Sequence, residues 1–154
     1  MKTSLCCDVI KFLEGKTLVT AESLTGGGIG AAITSVSGAS AVYKGGIISY
    51  TNAVKHSQLG VPEEILESCG AVSAPVASYM AAGVRRCLEA DVAVSVTGLA
   101  GPGGDEFGNP VGTVYIGYSD SNSTKAFAFY FTGDRDEIRN SAVEAALQIV
   151  LHEI

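Results

Sequence analysis

The chain has 154 residues, 47% of them apolar, four cysteines and a formal net charge of −6. That length favours one domain, residues 1–154, with a core that needs neither a metal nor disulfide staples. No block of lysines or arginines interrupts the acidic balance, which argues against a nucleic-acid-binding face, and no run of about 20 apolar residues exists to span a membrane.

Cys6, Cys7, Cys69 and Cys87 match no common zinc or redox spacing, and the histidines are His56 and His152. The expectation is buried or partly buried free thiols and no metal site. The start is not a basic stretch leading into a long apolar run, so no secretory leader is expected and a reducing cytoplasm is the simplest compartment.

In chain order, Cys6–Glu14 reads as a helix ending at Gly15, and Thr17–Ala21 as the first strand. The strand runs into Glu22-Ser23-Leu24-Thr25 and three glycines, and a helical pattern follows over Gly27–Val36. Such a strand–turn–helix transition can expose a serine at the carboxyl end of a sheet, beside helix N-terminal amides able to meet an anion or a developing oxyanion. Val42–Tyr50 reads as a strand with a bend or bulge at Gly45-Gly46. Val61-Pro62-Glu63-Glu64 opens a short helix that ends near Gly70. Ser73 is placed as the N-cap of a helix whose apolar face carries Val76, Met80, Gly83, Val84 and Cys87.

Asp91–Val96 is a nearly continuous apolar run, as suits a strand covered on both faces. Val111–Tyr118 and Thr124–Thr132 flank a short polar connection and read as an antiparallel hairpin. Asp134–Glu137 forms a D-x-x-E cap on a last helix with Ile138, Ala142, Ala145 and Ile149 inward. The expected order is helix, strand, helix, strand, helix, helix, strand, strand, strand, helix. That alternation predicts an α/β fold, a three-layer α/β/α sandwich around a mixed β-sheet.

Three polar clusters follow three strands: Glu22, Ser23 and Thr25; then Tyr50, Thr51, Asn52 and Lys55; then Thr97 and Gly98. If those strands are parallel, all three clusters share one rim, where ligands collect in such sheets. A serine needs a base to attack, and neither histidine sits in a motif. Lys55 is the best-placed lysine, provided burial keeps its amine neutral. The chemistry implied is attack by Ser23, proton acceptance by Lys55 and oxyanion stabilisation near Gly26 and Gly27. The alternative is a helix-capping serine and a solvated lysine.

Glu22, Thr25, Gly26, Gly27, Tyr50, Thr97 and Gly98 on this rim are candidate substrate contacts. The glycine-rich loop Gly98–Gly104 carries Gly101 and lacks the lysine and hydroxyl of a phosphate loop, so it reads either as a tight connection or as a ligand contact. Arg135 and Arg139 read either as anion ligands or as surface partners of Asp136 and Glu137.

The segments together resemble the CinA C-terminal domain family, whose enzymatic members are nicotinamide-nucleotide amidases of the PncC type. The resemblance rests on T-A-E-S-L-T-G-G-G at Thr20–Gly28, G-G-I-I-S-Y-T-N-A-V-K at Gly45–Lys55, L-G-V-P at Leu59–Pro62 and G-A-V-S at Gly70–Ser73. It continues with S-V-T-G-L-A-G-P-G-G at Ser95–Gly104, P-V-G-T-V-Y-I at Pro110–Ile116 and G-D-R-D-E-I-R at Gly133–Arg139. It implies hydrolysis of nicotinamide mononucleotide, a small-molecule nucleotide, to nicotinic acid mononucleotide and ammonia. The implied mechanism is a Ser-Lys one without metal or cofactor, in a homo-oligomer.

By the same resemblance Ser23 and Lys55 are the reactive pair. Tyr50, Thr97 and the Gly101 loop map to the substrate pocket, and Arg135 or Arg139 to its polar wall. Many relatives carry this domain behind a larger N-terminal domain resembling molybdopterin-binding proteins, and here it is expected to stand alone. Relatives often have a lysine just before P-V-G, where this chain has Asn109. The competing expectations are a non-catalytic nucleotide-binding or partner-regulating module and an amidase for another carboxamide.

Overall fold

The computed structural model describes residues 2–154. Its elements are α1 (Lys2–Phe12), β1 (Leu18–Glu22), α2 (Gly28–Thr34), a 3₁₀ turn (Ala39–Ala41), β2 (Tyr43–Ile48), α3 (Asn52–Leu59) and α4 (Glu63–Cys69). They continue with α5 (Ala74–Cys87), β3 (Val92–Gly98), β4 (Thr113–Ser119), β5 (Thr124–Tyr130) and α6 (Arg135–Glu153). The five strands form one sheet in the order β2-β1-β3-β4-β5. β1 runs parallel to both β2 and β3, while β4 is antiparallel to β3 and to β5. The sheet is therefore mixed, and helices cover both of its faces.

Alternation along β1 builds the two cores. Leu18 joins Ile29 and Ile33 of α2, Val9 of α1 and Ile138 and Leu147 of α6 on one face. Val19 and Ala21 point the other way, to Leu59, Leu66, Val76, Met80 and Val84 of α3, α4 and α5. β3 is buried from Val92 to Thr97, as a central strand covered on both sides must be. The pairing of β1 with β2 jumps from Leu18↔Tyr43 to Val19↔Gly45, so Lys44 is the extra residue, one position before the Gly45-Gly46 pair where the sequence suggests a bend or bulge.

Contacts at glycines set the height of α5 over the sheet. A Cβ on Gly117 of β4 would run into the Ala77 carbonyl of α5, and one on Gly83 of α5 into the Leu59 carbonyl of α3. Ser95 of β3 donates from Oγ to that same Ala77 carbonyl at 2.6 Å. α5 is thus pinned through backbone, where no side chain can adjust.

The structure departs from the sequence reading in four places. First, Asn52–Leu59 forms a helix, α3, that the order above lacks. Its buried face carries only Lys55 and Leu59, so it shows no apolar stripe, although Thr51 caps it by accepting from Val54 N and Gly60 ends it at φ 70°. Second, Ser73 sits at the N-cap position of α5 but makes no cap bond, and its Oγ donates to the Gly70 carbonyl at 2.8 Å instead. Third, Cys87 is exposed rather than on the packed face of α5, which is filled by Ala77, Ala81 and Val84. Fourth, the four thiols are free, but Cys7 is exposed as well, leaving only Cys6 fully buried. The α6 capping box forms as read, with Asp134 accepting from Glu137 N at 2.9 Å and Glu137 accepting from Asp134 N at 3.0 Å. Among the described residues no helix is long and apolar enough to cross a membrane, and no cluster of His, Cys, Asp or Glu could hold a metal ion.

Candidate active site

Because β1, β2 and β3 are parallel, their carboxyl ends form one rim. Ser23 leaves β1 with its N–H donated to the Val96 carbonyl of β3 at 3.0 Å, while Ser49 N donates to the Glu22 carbonyl at 2.8 Å. These bonds carry the pairing one step past the strand ends and fix where Ser23 stands. α3 starts just beyond β2 and turns Lys55 back under the rim. The Lys55 Nζ lies 3.0 Å from Ser23 Oγ, 2.7 Å from the Ser49 carbonyl and 3.4 Å from the Tyr50 carbonyl.

Lys55 is 1% exposed and Ser23 7%. Burial disfavours the ammonium form and lowers the Lys55 amine from its ordinary value to about 8. No ion pair involves Lys55 among the described residues. A neutral amine has two N–H groups and one lone pair. Here the two carbonyls can take the N–H groups, which leaves the lone pair facing the serine hydroxyl.

The pair opens into a cavity of about 280 Å³ lined by Ser23, Tyr50, Asn52, Lys55, Thr97 and Arg135, with the loop from Gly98 to Gly103 as one wall. Thr97 is oriented by donating from Oγ1 to the Ala71 carbonyl at 2.8 Å. Arg135 stands at the start of α6 and spans the mouth, donating to the Gly101 carbonyl and to Tyr50 Oη at 3.4 Å. Tyr50 is 60% exposed, so this bridge lies at the solvent edge.

Ser23, Lys55, Tyr50, Thr97, Gly98, Gly101 and Arg135 thus meet in one cavity. The other residues read as substrate contacts lie elsewhere, for physical reasons. Glu22 is buried, and its carboxylate accepts from Ile29 N at 2.8 Å, Gly30 N at 3.0 Å and Thr25 Oγ1 at 2.7 Å. Thr25 is thereby turned inward as well. Gly26 N donates to the Ser23 carbonyl at 3.1 Å within the turn, and Gly27 is the N-cap of α2 at φ 103°. The first-turn amides of Ile29 and Gly30 are thus taken by Glu22, and that of Gly28 by the Thr25 carbonyl at 2.9 Å, so these three do not face a ligand. Arg139 reaches back from α6 to donate to the Leu24 carbonyl at 2.9 Å and the Thr25 carbonyl at 3.3 Å, pinning the turn from outside the cavity.

Asn52 of the second rim cluster and Leu99 and Ala100 of the glycine-rich loop also line the cavity. Ala71 and Val72 line it without being singled out by the sequence reading of the site, because their place there depends on topology alone. Asn109 anchors the distal part of the loop, its Nδ2 donating to the Val72 carbonyl at 3.2 Å and to Asp105 Oδ2 at 2.8 Å.

Residues 5–154 match the family model described as the CinA C-terminal domain. A CinA-like protein of Parasynechococcus marenigrum is 50% identical over 134 residues, covering 86% of this chain and 32% of that protein. Another from Acaryochloris marina is 50% identical over 136 residues, covering 87% of this chain and 32% of that protein. The chain thus spans about a third of the length of the curated relatives it matches. Among solved structures, the competence damage-inducible protein A of Klebsiella pneumoniae superposes with a TM-score of 0.96 at 32% identity, covering 99% of this chain and 96% of that one. The competence/damage inducible protein CihA of Agrobacterium tumefaciens superposes with a TM-score of 0.94 at 38% identity, covering 98% of this chain and 94% of that one.

Proposed function

Because this chain belongs to the CinA C-terminal domain family and holds a buried lysine against a serine, we propose that it is an amidohydrolase that removes ammonia from nicotinamide mononucleotide. The observation that carries this reading is the 3.0 Å contact between Lys55 Nζ and Ser23 Oγ, at an amine whose burial lets it accept a proton near neutral pH.

Ser23 Oγ attacks the carboxamide carbon while its proton passes to the Lys55 amine. The resulting ammonium gives that proton to the departing nitrogen as the C–N bond breaks, so ammonia leaves and an ester to Ser23 remains. A water molecule, deprotonated by the same amine, then attacks the ester, and the Lys55 ammonium returns that proton to Ser23 Oγ as the acyl C–O bond breaks and the carboxylic acid product leaves, ionising in solution. Lys55 is neutral at the start and at the end of the cycle. The Ser49 and Tyr50 carbonyls keep the amine aimed, and Arg135 offers the cavity mouth a positive charge for an anionic substrate.

The test is ammonia release from nicotinamide mononucleotide by the purified chain, with nicotinamide and its riboside as comparison substrates. Ser23→Ala is expected to lower turnover by about a thousandfold or more while keeping the fold. Ligand-induced thermal stabilisation with no product from the wild type would instead make the chain a nucleotide-binding module.

A further inference from the structure

Glu22 immediately precedes Ser23, yet it faces the opposite way. It lines no part of the 280 Å³ cavity, and instead borders a separate pocket of about 200 Å³ with Thr20, Gly30 and Tyr43. Its carboxylate collects donors from two elements. Ile29 N and Gly30 N come from the first turn of α2, and Thr25 Oγ1 comes from the connecting turn. Behind it, Thr20 Oγ1 lies 3.3 Å from Glu22 Oε2 and 2.7 Å from Tyr43 Oη. Glycines make room for this network. A Cβ on Gly30 would stand 2.6 Å from Tyr43 Oη, and Gly46 is crowded by both Thr20 and Tyr43.

We propose that Glu22 is the positioning residue of the Ser23–Lys55 pair: its carboxylate, bound to the first turn of α2 beneath β1, holds the turn that presents Ser23 to the amine. Two consequences follow from where the side chain points. The turn between β1 and α2 is fixed from below by Glu22 and from outside by Arg139, so Ser23 between them has little freedom. The nearest carboxylate in sequence is also kept off the rim, where it would pair with Lys55 and hold the amine protonated. This inference rests on the amidase reading of the same site.

Glu22→Gln preserves size but aims an amide NH₂ at an α2 N–H. It is expected to lower kcat for ammonia release by about a hundredfold, the cost of a displacement near 1 Å, while KM stays within about threefold. Thr25→Val removes one donor and keeps the carboxylate. It is expected to lower kcat by about fivefold, again with KM unchanged, and it decides the matter if Glu22→Gln does not fold. A rise in KM at constant kcat would make Glu22 a substrate ligand, and unchanged kcat and KM in folded protein would make it scaffold only. Either result overturns the proposal.

A second readout needs no amide substrate. A small alkyl fluorophosphonate forms an Oγ–P bond at Ser23 and expels fluoride, with the hydroxyl proton passing to Lys55. Labelling slower than wild type in both variants supports the positioning role, and equal labelling overturns it. Labelling of the wild type without ammonia release overturns the amidase reading alone. A wild-type chain that labels no faster than Ser23→Ala has no reactive serine to position, and overturns both.

Discussion

Lys55 is the proton acceptor of the proposed mechanism, and its environment predicts two different pH effects. The first concerns rate. With the amine lowered by burial to about 8, the base form is the minority below that pH. Turnover that needs the neutral amine should therefore rise about tenfold per pH unit up to about 8 and level off above it. A kcat/KM profile flat from pH 6 to about 9 would separate Lys55 from the proton transfer. Lys55→Arg keeps the charge but stays protonated, so it is expected to be as inactive as Lys55→Ala.

The second effect concerns stability. The folded amine loses its proton near 8, whereas in the unfolded chain it holds it to the ordinary value of 10.5. Between those limits the unfolded state binds more protons, so stability rises with pH across the window and is unaffected by this group below it. The gain is on the order of 3 kcal/mol. It should appear as the difference in urea-unfolding free energy between wild type and Lys55→Met as pH is raised from about 8 to about 10, with the variant showing no such rise.

At the scale of elements, what could be read from the sequence depended on whether a helix or strand announces its buried face with apolar residues. β3 does so with an unbroken apolar run, α5 with Val76, Met80 and Val84, and α6 with both a stripe and a capping box. α3 does not, because the side chain it buries beside Leu59 is the lysine of the site. The helix that delivers Lys55 was therefore hidden by Lys55 itself, and only its end signals at Thr51 and Gly60 were legible. The convergence of Ser23 and Lys55 could be inferred from parallel strand order. The inward turn of Glu22 could not, because a polar residue at a strand end reads equally well as facing solvent, ligand or a helix terminus.

The contacts between elements predict where substitution is least tolerated. Gly117 lies against the Ala77 carbonyl, and neither backbone can yield without lifting α5 from the sheet. Gly117→Ala is expected to cost about 3 kcal/mol and to lower Tm by about 10 °C. Gly103, with nothing near its Cβ position, should accept alanine with little change in Tm measured by calorimetry.

Across the whole molecule, the sheet order places β1, β3 and β4 in the interior and leaves β2 and β5 with one unpaired edge each. β3 is buried along nearly its whole length, whereas every residue of β5 is exposed or half-buried. Native-state hydrogen exchange should therefore be slowest in β1 and β3, approaching the global unfolding limit, and faster along the outer edge of β5. Equal protection of β5 and β3 in a monomeric sample would contradict that ranking. The same order explains why the rim is rigid: Ser23 is anchored to β3 and Glu22 to the start of the segment after β2, so the seat of Ser23 is an extension of the interior of the sheet.

The reversal of direction between β3 and β4 has a consequence for how this scaffold can diversify. A parallel successor would need its connection to cross a face of the sheet. An antiparallel one needs only to turn around, so residues 99–112 remain at the rim, and Leu99, Ala100, Gly101 and Gly103 wall the cavity. Within them, Gly103 and Gly108 stand in open space, and the span between is closed on itself by Asp105 and Asn109. Lengthening or rewriting that tip leaves the strands, the serine and the amine where they are. Under the proposed amidase reading, selection for a different carboxamide substrate can act on this one hairpin-like appendage while Ser23 and Lys55 are inherited unchanged.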